Sequence, residues 1–150
     1  MARRRRVTDV QRRRRVGPIL ARWRLRLQLN NWSVVYRFVG KLTHEDNAVF
    51  ADINVSSPYK RAFIQFSRIC VDAAPLAELE HAIVHELCHL ILVDLKTKSM
   101  ALFGDSPLGT ELHNLIETTT DSVALTALAL WNRKPWEPYN DQNLIGGGRA

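Results

Sequence analysis

The stretch Pro75-Leu-Ala-Glu-Leu-Glu-His-Ala-Ile-Val-His85-Glu86-Leu87-Cys88-His89-Leu-Ile-Leu-Val-Asp94 decides how this chain is read. Leu76, Leu79, Ile83, Leu87, Leu90 and Ile91 supply apolar positions at helical spacing. Pro75 suits a first helical turn, and Asp72 stands where an N-cap is expected. The stretch therefore predicts one helix over 75–94. On it His85 and His89 lie one above the other, four residues apart on one face, and can grip one metal ion together. Glu86 follows the first His and projects about 100° further round the helix. That puts a carboxylate beside the ion rather than on it, where a general base is needed. This is the H-E-x-x-H spacing, two zinc ligands and a base. The plain alternative is a helix that happens to carry two histidines.

Two imidazoles leave a catalytic zinc short, because such a site uses three protein ligands and keeps one position open. Thr110 to Trp131 reads as a second long helix, with Leu112, Leu115, Ile116, Val123, Leu125, Leu128 and Leu130 for a core. His113, Glu117 and Asp121 recur on it every four residues and so share a face, with Glu117 in the centre. That coincidence points to the second helix as the source of the missing ligand.

His85-Glu-x-x-His89 followed by a helix carrying Glu117-x-x-x-Asp121 resembles the gluzincin metallopeptidases. The resemblance covers roughly residues 48–131 and rests on the two motifs and their order. It implies a zincin-like α+β fold, a Zn²⁺ cofactor and a peptide or protein substrate. Carried over residue by residue, Glu117 would be the third ligand. Asp121 would orient one of the two zinc-bound histidines, as carboxylates behind metal ligands do. Glu86 would take a proton from the attacking water and pass it to the leaving amine. The small size looks most like the minimal members of the clan and small phage or bacterial metallopeptidases. The Tyr or His with which larger gluzincins hold the oxyanion has no assigned counterpart; His113, Tyr59 and Tyr139 are the candidates.

A competing assignment makes His113 the third ligand, as in the SprT-type H-E-x-x-H proteins that act on DNA-bound proteins. A basic N-terminal segment suits such a target. The chain lacks their later Cys cluster, however, and Glu117 and Asp121 would have no role. A non-enzymatic reading is a zinc-stabilised module that binds nucleic acid or an acidic partner. Structural zinc sites are usually closed by four ligands and rich in Cys, and they have no use for Glu86. Cys88 is a nominal fourth donor but projects about 100° from His89. His81, four residues before His85, reads as a cleft-wall or surface histidine, and His44 falls in a polar turn.

The rest of the chain supplies a sheet. Residues 32–39, 48–55 and 61–69 read as three strands, the first two with period-2 alternation: Trp32, Val34, Tyr36 and Phe38 share one face, and Val49, Ala51, Ile53 and Val55 another. Lys41 to Asn47 and Ser56 to Lys60 read as turns, and Lys96 to Gly109 as a connector. The expected fold is α+β, a small three-stranded or slightly larger sheet packed on the metal helix and a second long helix. If the strand Ala62 to Ser67 forms a sheet edge, a peptide substrate could pair with it as an added strand.

Charge divides the chain. Residues 1–26 hold 11 Arg and one acidic residue, net +10, while residues 27–150 are net −4. This sets an Arg-rich N-terminal arm or short helix over 1–26 apart from a metallopeptidase domain over 27–131 and a C-terminal coil over 132–150. The arm is expected to fray into a short helix that starts near Thr8-Asp9 and is interrupted or bounded by Gly17-Pro18. It serves either as a solubilising tail or as a non-specific contact to nucleic acid. Residues 131–139 could fold over the cleft, with Asp141 or Asn143 reaching the zinc, or could pack their Trp side chains on the body. The two Cys, Cys70 and Cys88, lie in apolar segments and read as buried free thiols of a reducing compartment. No run of 18 apolar residues exists, and Arg22, Arg24 and Arg26 break any signal-like stretch, so the expectation is a cytoplasmic chain with no membrane partner.

Overall fold

Ala62, Ile64 and Phe66 alternate with Arg61, Phe63 and Gln65, and the first three are buried. This strand turns one face into the core and is hydrogen-bonded to a neighbour on each side. In the computed structural model, which describes residues 7–44 and 47–131, the chain runs α1 (Asp9–Arg26), β1 (Ser33–Val39), β2 (Leu42–His44), β3 (Asn47–Val49), β4 (Ala51–Ser56), β5 (Arg61–Ser67), α2 (Arg68–Ala73), α3 (Leu76–Phe103) and α4 (Pro107–Trp131). The main sheet has the order β1-β5-β4, with β1 parallel and β4 antiparallel to β5. β2 and β3 pair as a separate antiparallel ribbon: β2 lies in the segment expected to be a turn, and β3 takes the start of the expected strand 48–55, which is broken at Phe50. The fold is α+β, a small three-stranded mixed sheet with helices. Among the described residues no helix is long and apolar enough to cross a membrane.

The strand expected at a possible sheet edge is thus the central one, and β4 is an edge. Three further expectations are corrected. The helix that carries His85 and His89 does not stop near Asp94 but continues to Phe103, so most of the expected connector is helical. Asp72 is not the cap of α3; it lies inside α2, and Pro75 occupies the N-cap position. The third correction concerns the N-terminal segment. From Asp9 on it is an 18-residue helix that runs straight through Gly17-Pro18.

The start of α1 is where Thr8-Asp9 places it: Thr8 and Gln11 cap each other reciprocally. Pro18 removes one backbone donor, a loss usually enough to kink or break a helix. Tertiary packing outweighs it here, because Val16, Ile19, Leu20 and Trp23 are all buried in the cluster that also holds Phe38, Ile64, Phe66, Leu79, Ile83 and Leu87. Gly17 lets α1 approach the sheet: a Cβ at this position would lie 3.2 Å from the Tyr36 hydroxyl. A segment read as an arm set apart from the domain is therefore one wall of its core.

The arginines of α1 hold that wall in place. Arg12 is buried and forks onto Asp72 through Nε at 2.8 Å and Nη2 at 2.5 Å, while Nη1 meets Asp9 at 2.6 Å. Arg15 donates to the carbonyls of Val71 and Ala74 at the end of α2. Arg22 and the Trp23 indole both donate to Glu80 Oε1 on α3. Arg24 donates to the Trp32 carbonyl, and Arg26 stacks over Trp23 and Trp131. Arg13 lies over the Tyr36 ring. Arg3 to Arg6 lie outside the described residues.

Two outcomes follow. Arg12→Ala is expected to lower the unfolding free energy by about 2 kcal/mol in urea titrations, between an exposed and a fully buried pair, and a chain lacking residues 1–26 should lose cooperative unfolding. Asp9 adds an acid limb. Arg68, and then Arg12, hold its carboxyl at about 2 rather than 3.8, so its stabilising effect is present above pH 3.8 and lost as pH falls through about 2.

Candidate metal centre

α3 and α4 pack side by side and antiparallel. The link between them is three residues, Gly104 to Ser106, and two glycines make it that short. Gly104 sits at φ 50 and ψ −135, a backbone conformation L side chains rarely adopt. A Cβ on Gly109 would lie 2.1 Å from the Gly104 carbonyl oxygen. This tight corner turns α4 back along α3 and fixes which residues face each other.

The pairings run in reverse order, as antiparallel helices require. His81 Nε2 lies 3.0 Å from Asp121 Oδ1, and His85 Nδ1 lies 3.4 Å from the same oxygen. His85 Nε2 and His89 Nε2 lie 3.8 and 3.3 Å from Glu117 Oε2. The other carboxylate oxygen of Glu117, Oε1, meets Lys96 Nζ at 3.4 Å and is 3.9 Å from His113 Nε2. The rings of His85 and His89 stand edge to face with centroids 4.9 Å apart. His85, His89 and Glu117 each offer one donor atom, and these atoms all lie within 4.8 Å of one another. Two imidazole nitrogens and one carboxylate oxygen converging on one point match the donor set of a three-ligand zinc site.

The electrostatics fit a cation as well. Contact with His85, then His89, holds the Glu117 carboxyl far below its usual range, and Glu117 in turn raises His85. Glu86 behaves in the opposite way. It is 7% exposed, and burial pushes its carboxyl up to about 7 against the pull of His89 and His85. A carboxyl with that value gains and loses a proton near neutral pH.

These groups line a cleft of about 650 Å³, with one wall from Val49 to Ile53 at the edge of the sheet and the other from α3 and α4. His81 and His113 lie on the walls. Tyr59 is 74% exposed in the turn Ser57–Tyr59 and does not line the cleft. Tyr139, Asp141 and Asn143 lie outside the described residues, as does the segment after Trp131. Cys88 is fully buried in the hydrophobic core rather than facing the donors.

Sequence reasoning missed Lys96, which the expected connector took out of consideration. The signal was present: Lys96 follows His85 by eleven residues, three helical turns, and so falls on the same face. Glu78 carried the same signal, seven residues or two turns before His85, while Asp52 on the sheet carried none. No family model, no curated protein and no solved structure matches the chain.

The raised Glu86 value has a stability consequence. The folded chain keeps a proton that the unfolded chain releases near 4.5, so ionisation costs stability as pH rises from 4.5 to about 7. In chelator-treated protein Glu86→Gln is therefore expected to be more stable than wild type by about 3 kcal/mol at about pH 8, and equal to it at about pH 4, by denaturant titration.

Proposed function

We propose that the chain is a zinc-dependent metallopeptidase of gluzincin type, with His85, His89 and Glu117 as metal ligands and Glu86 as general base. The observation that carries this reading is the convergence of His85 and His89 from α3 with Glu117 from α4 beside the buried Glu86. A zinc ion held there would act as a Lewis acid, polarising a substrate carbonyl and bringing the pKa of a coordinated water towards about 7. Glu86, already poised near neutral, accepts the water proton and delivers it to the leaving nitrogen. Asp121 faces Nδ1 of His85, which keeps the proton on that nitrogen and leaves Nε2 free to ligate.

The substrate is an extended peptide or protein segment. β4 is a sheet edge and its residues Ala51 to Ile53 form a cleft wall, so a peptide paired with β4 would lie across the donor group. His113 serves this reading as a cleft-wall residue. Its Nε2 faces Glu117 Oε1, on the side of the carboxylate away from the two imidazoles.

Metal analysis of purified protein tests the ligand set: His85→Ala and Glu117→Ala are expected to lose stoichiometric zinc, and His113→Ala to retain it. Loss on His113→Ala with retention on Glu117→Ala would replace this reading with a three-histidine site. On a peptide library, Glu86→Gln should cut hydrolysis by at least about 100-fold with zinc still bound. Zinc-loaded Glu86→Gln as active as wild type would remove the general-base role.

A further inference from the structure

The Asp121 side chain is half-exposed, at 47%, and its Oδ1 is 3.4 Å from His85 Nδ1. A half-exposed carboxylate at that distance keeps its rotamer freedom and is solvated by water, so alone it holds a ring loosely. The same oxygen has a closer neighbour. His81 Nε2 lies 3.0 Å away, and His81 is one turn before His85 on the same face of α3. That nitrogen is sealed from solvent and has no hydrogen-bond partner among the described residues; the 3.0 Å approach to Asp121 Oδ1 is its one ion-pair contact there. Two imidazoles on successive turns of α3 thus flank one carboxylate oxygen of α4.

We infer that His81 is a positioning residue: it holds Asp121 Oδ1 over Nδ1 of His85 and so fixes the ring whose other nitrogen faces the metal position. The inference rests on His85, His89 and Glu117 being metal ligands. Its chemistry is ordering. A second contact on Oδ1 restricts the Asp121 side chain to the rotamer that meets His85, and an oriented carboxylate sets both the tautomer and the direction of the ligating ring. A histidine that merely walls the cleft would have no such link to Asp121.

The test is zinc affinity by chelator competition on wild type, His81→Ala, His81→Gln, Asp121→Ala and the double variant His81→Ala/Asp121→Ala. His81→Ala is expected to weaken zinc by about 10-fold, the scale for groups behind metal ligands. His81→Gln, whose amide can donate to the same oxygen, should recover most of that loss. In the Asp121→Ala background His81→Ala should cost nothing more. His81→Phe keeps the bulk without the donor and replaces His81→Ala if that variant melts early in the metal-free state. Unchanged affinity in His81→Ala, or an equal loss with Asp121 already removed, overturns the inference while the metal site stands. Wild type that binds no zinc overturns the metal site and the inference together.

Discussion

The register of α4 against α3 is the constraint on which the site depends. Neither helix carries a complete donor set, and the sheet supplies only a wall. The corner at Gly104 and Gly109 leaves α4 one way to return along α3, and a slip of one turn, about 5.4 Å, would carry Glu117 away from both imidazoles. Burial on α4 supports the same register. Ile116, Thr120 and Ala124 recur at four-residue spacing and are buried, which turns His113, Glu117 and Asp121, one position away on the helix, toward the cleft.

Much of this was legible in the chain because it depends on periodicity. The 3.6-residue repeat placed two long helices and the face that each presents, and the period of two placed β1 and most of β4. What the sequence concealed depends on tertiary contact. Lys96-Thr-Lys-Ser is polar enough to read as a loop, yet it continues α3 because α4 packs along it. Gly17-Pro18 reads as a break and is overridden by the burial of Val16, Ile19, Leu20 and Trp23. The central position of β5 was hidden for another reason: alternation specifies a buried face but not which neighbours a strand pairs with, and the parallel partner β1 lies 28 residues earlier in register.

Composition misled most over α1. A net charge of +10 in 26 residues suggests a solvated, anion-seeking segment. A guanidinium is also a planar fork of donors on a long apolar stem, and α1 uses it that way. Arg12 and Arg22 find carboxylates on α2 and α3, Arg15 and Arg24 find backbone carbonyls, and Arg26 covers indole rings. Counting arginines gives the charge of a segment but not how many of those charges are already taken within the fold.

Cys88 stands immediately before His89, yet its thiol is buried in the core and burial pushes it up to about 11. A thiol held protonated is a poor nucleophile and a poor target for peroxide or disulfide exchange. The His85, His89 and Glu117 group contains no sulfur of its own. Oxidants that act on thiolates therefore find none among these three side chains.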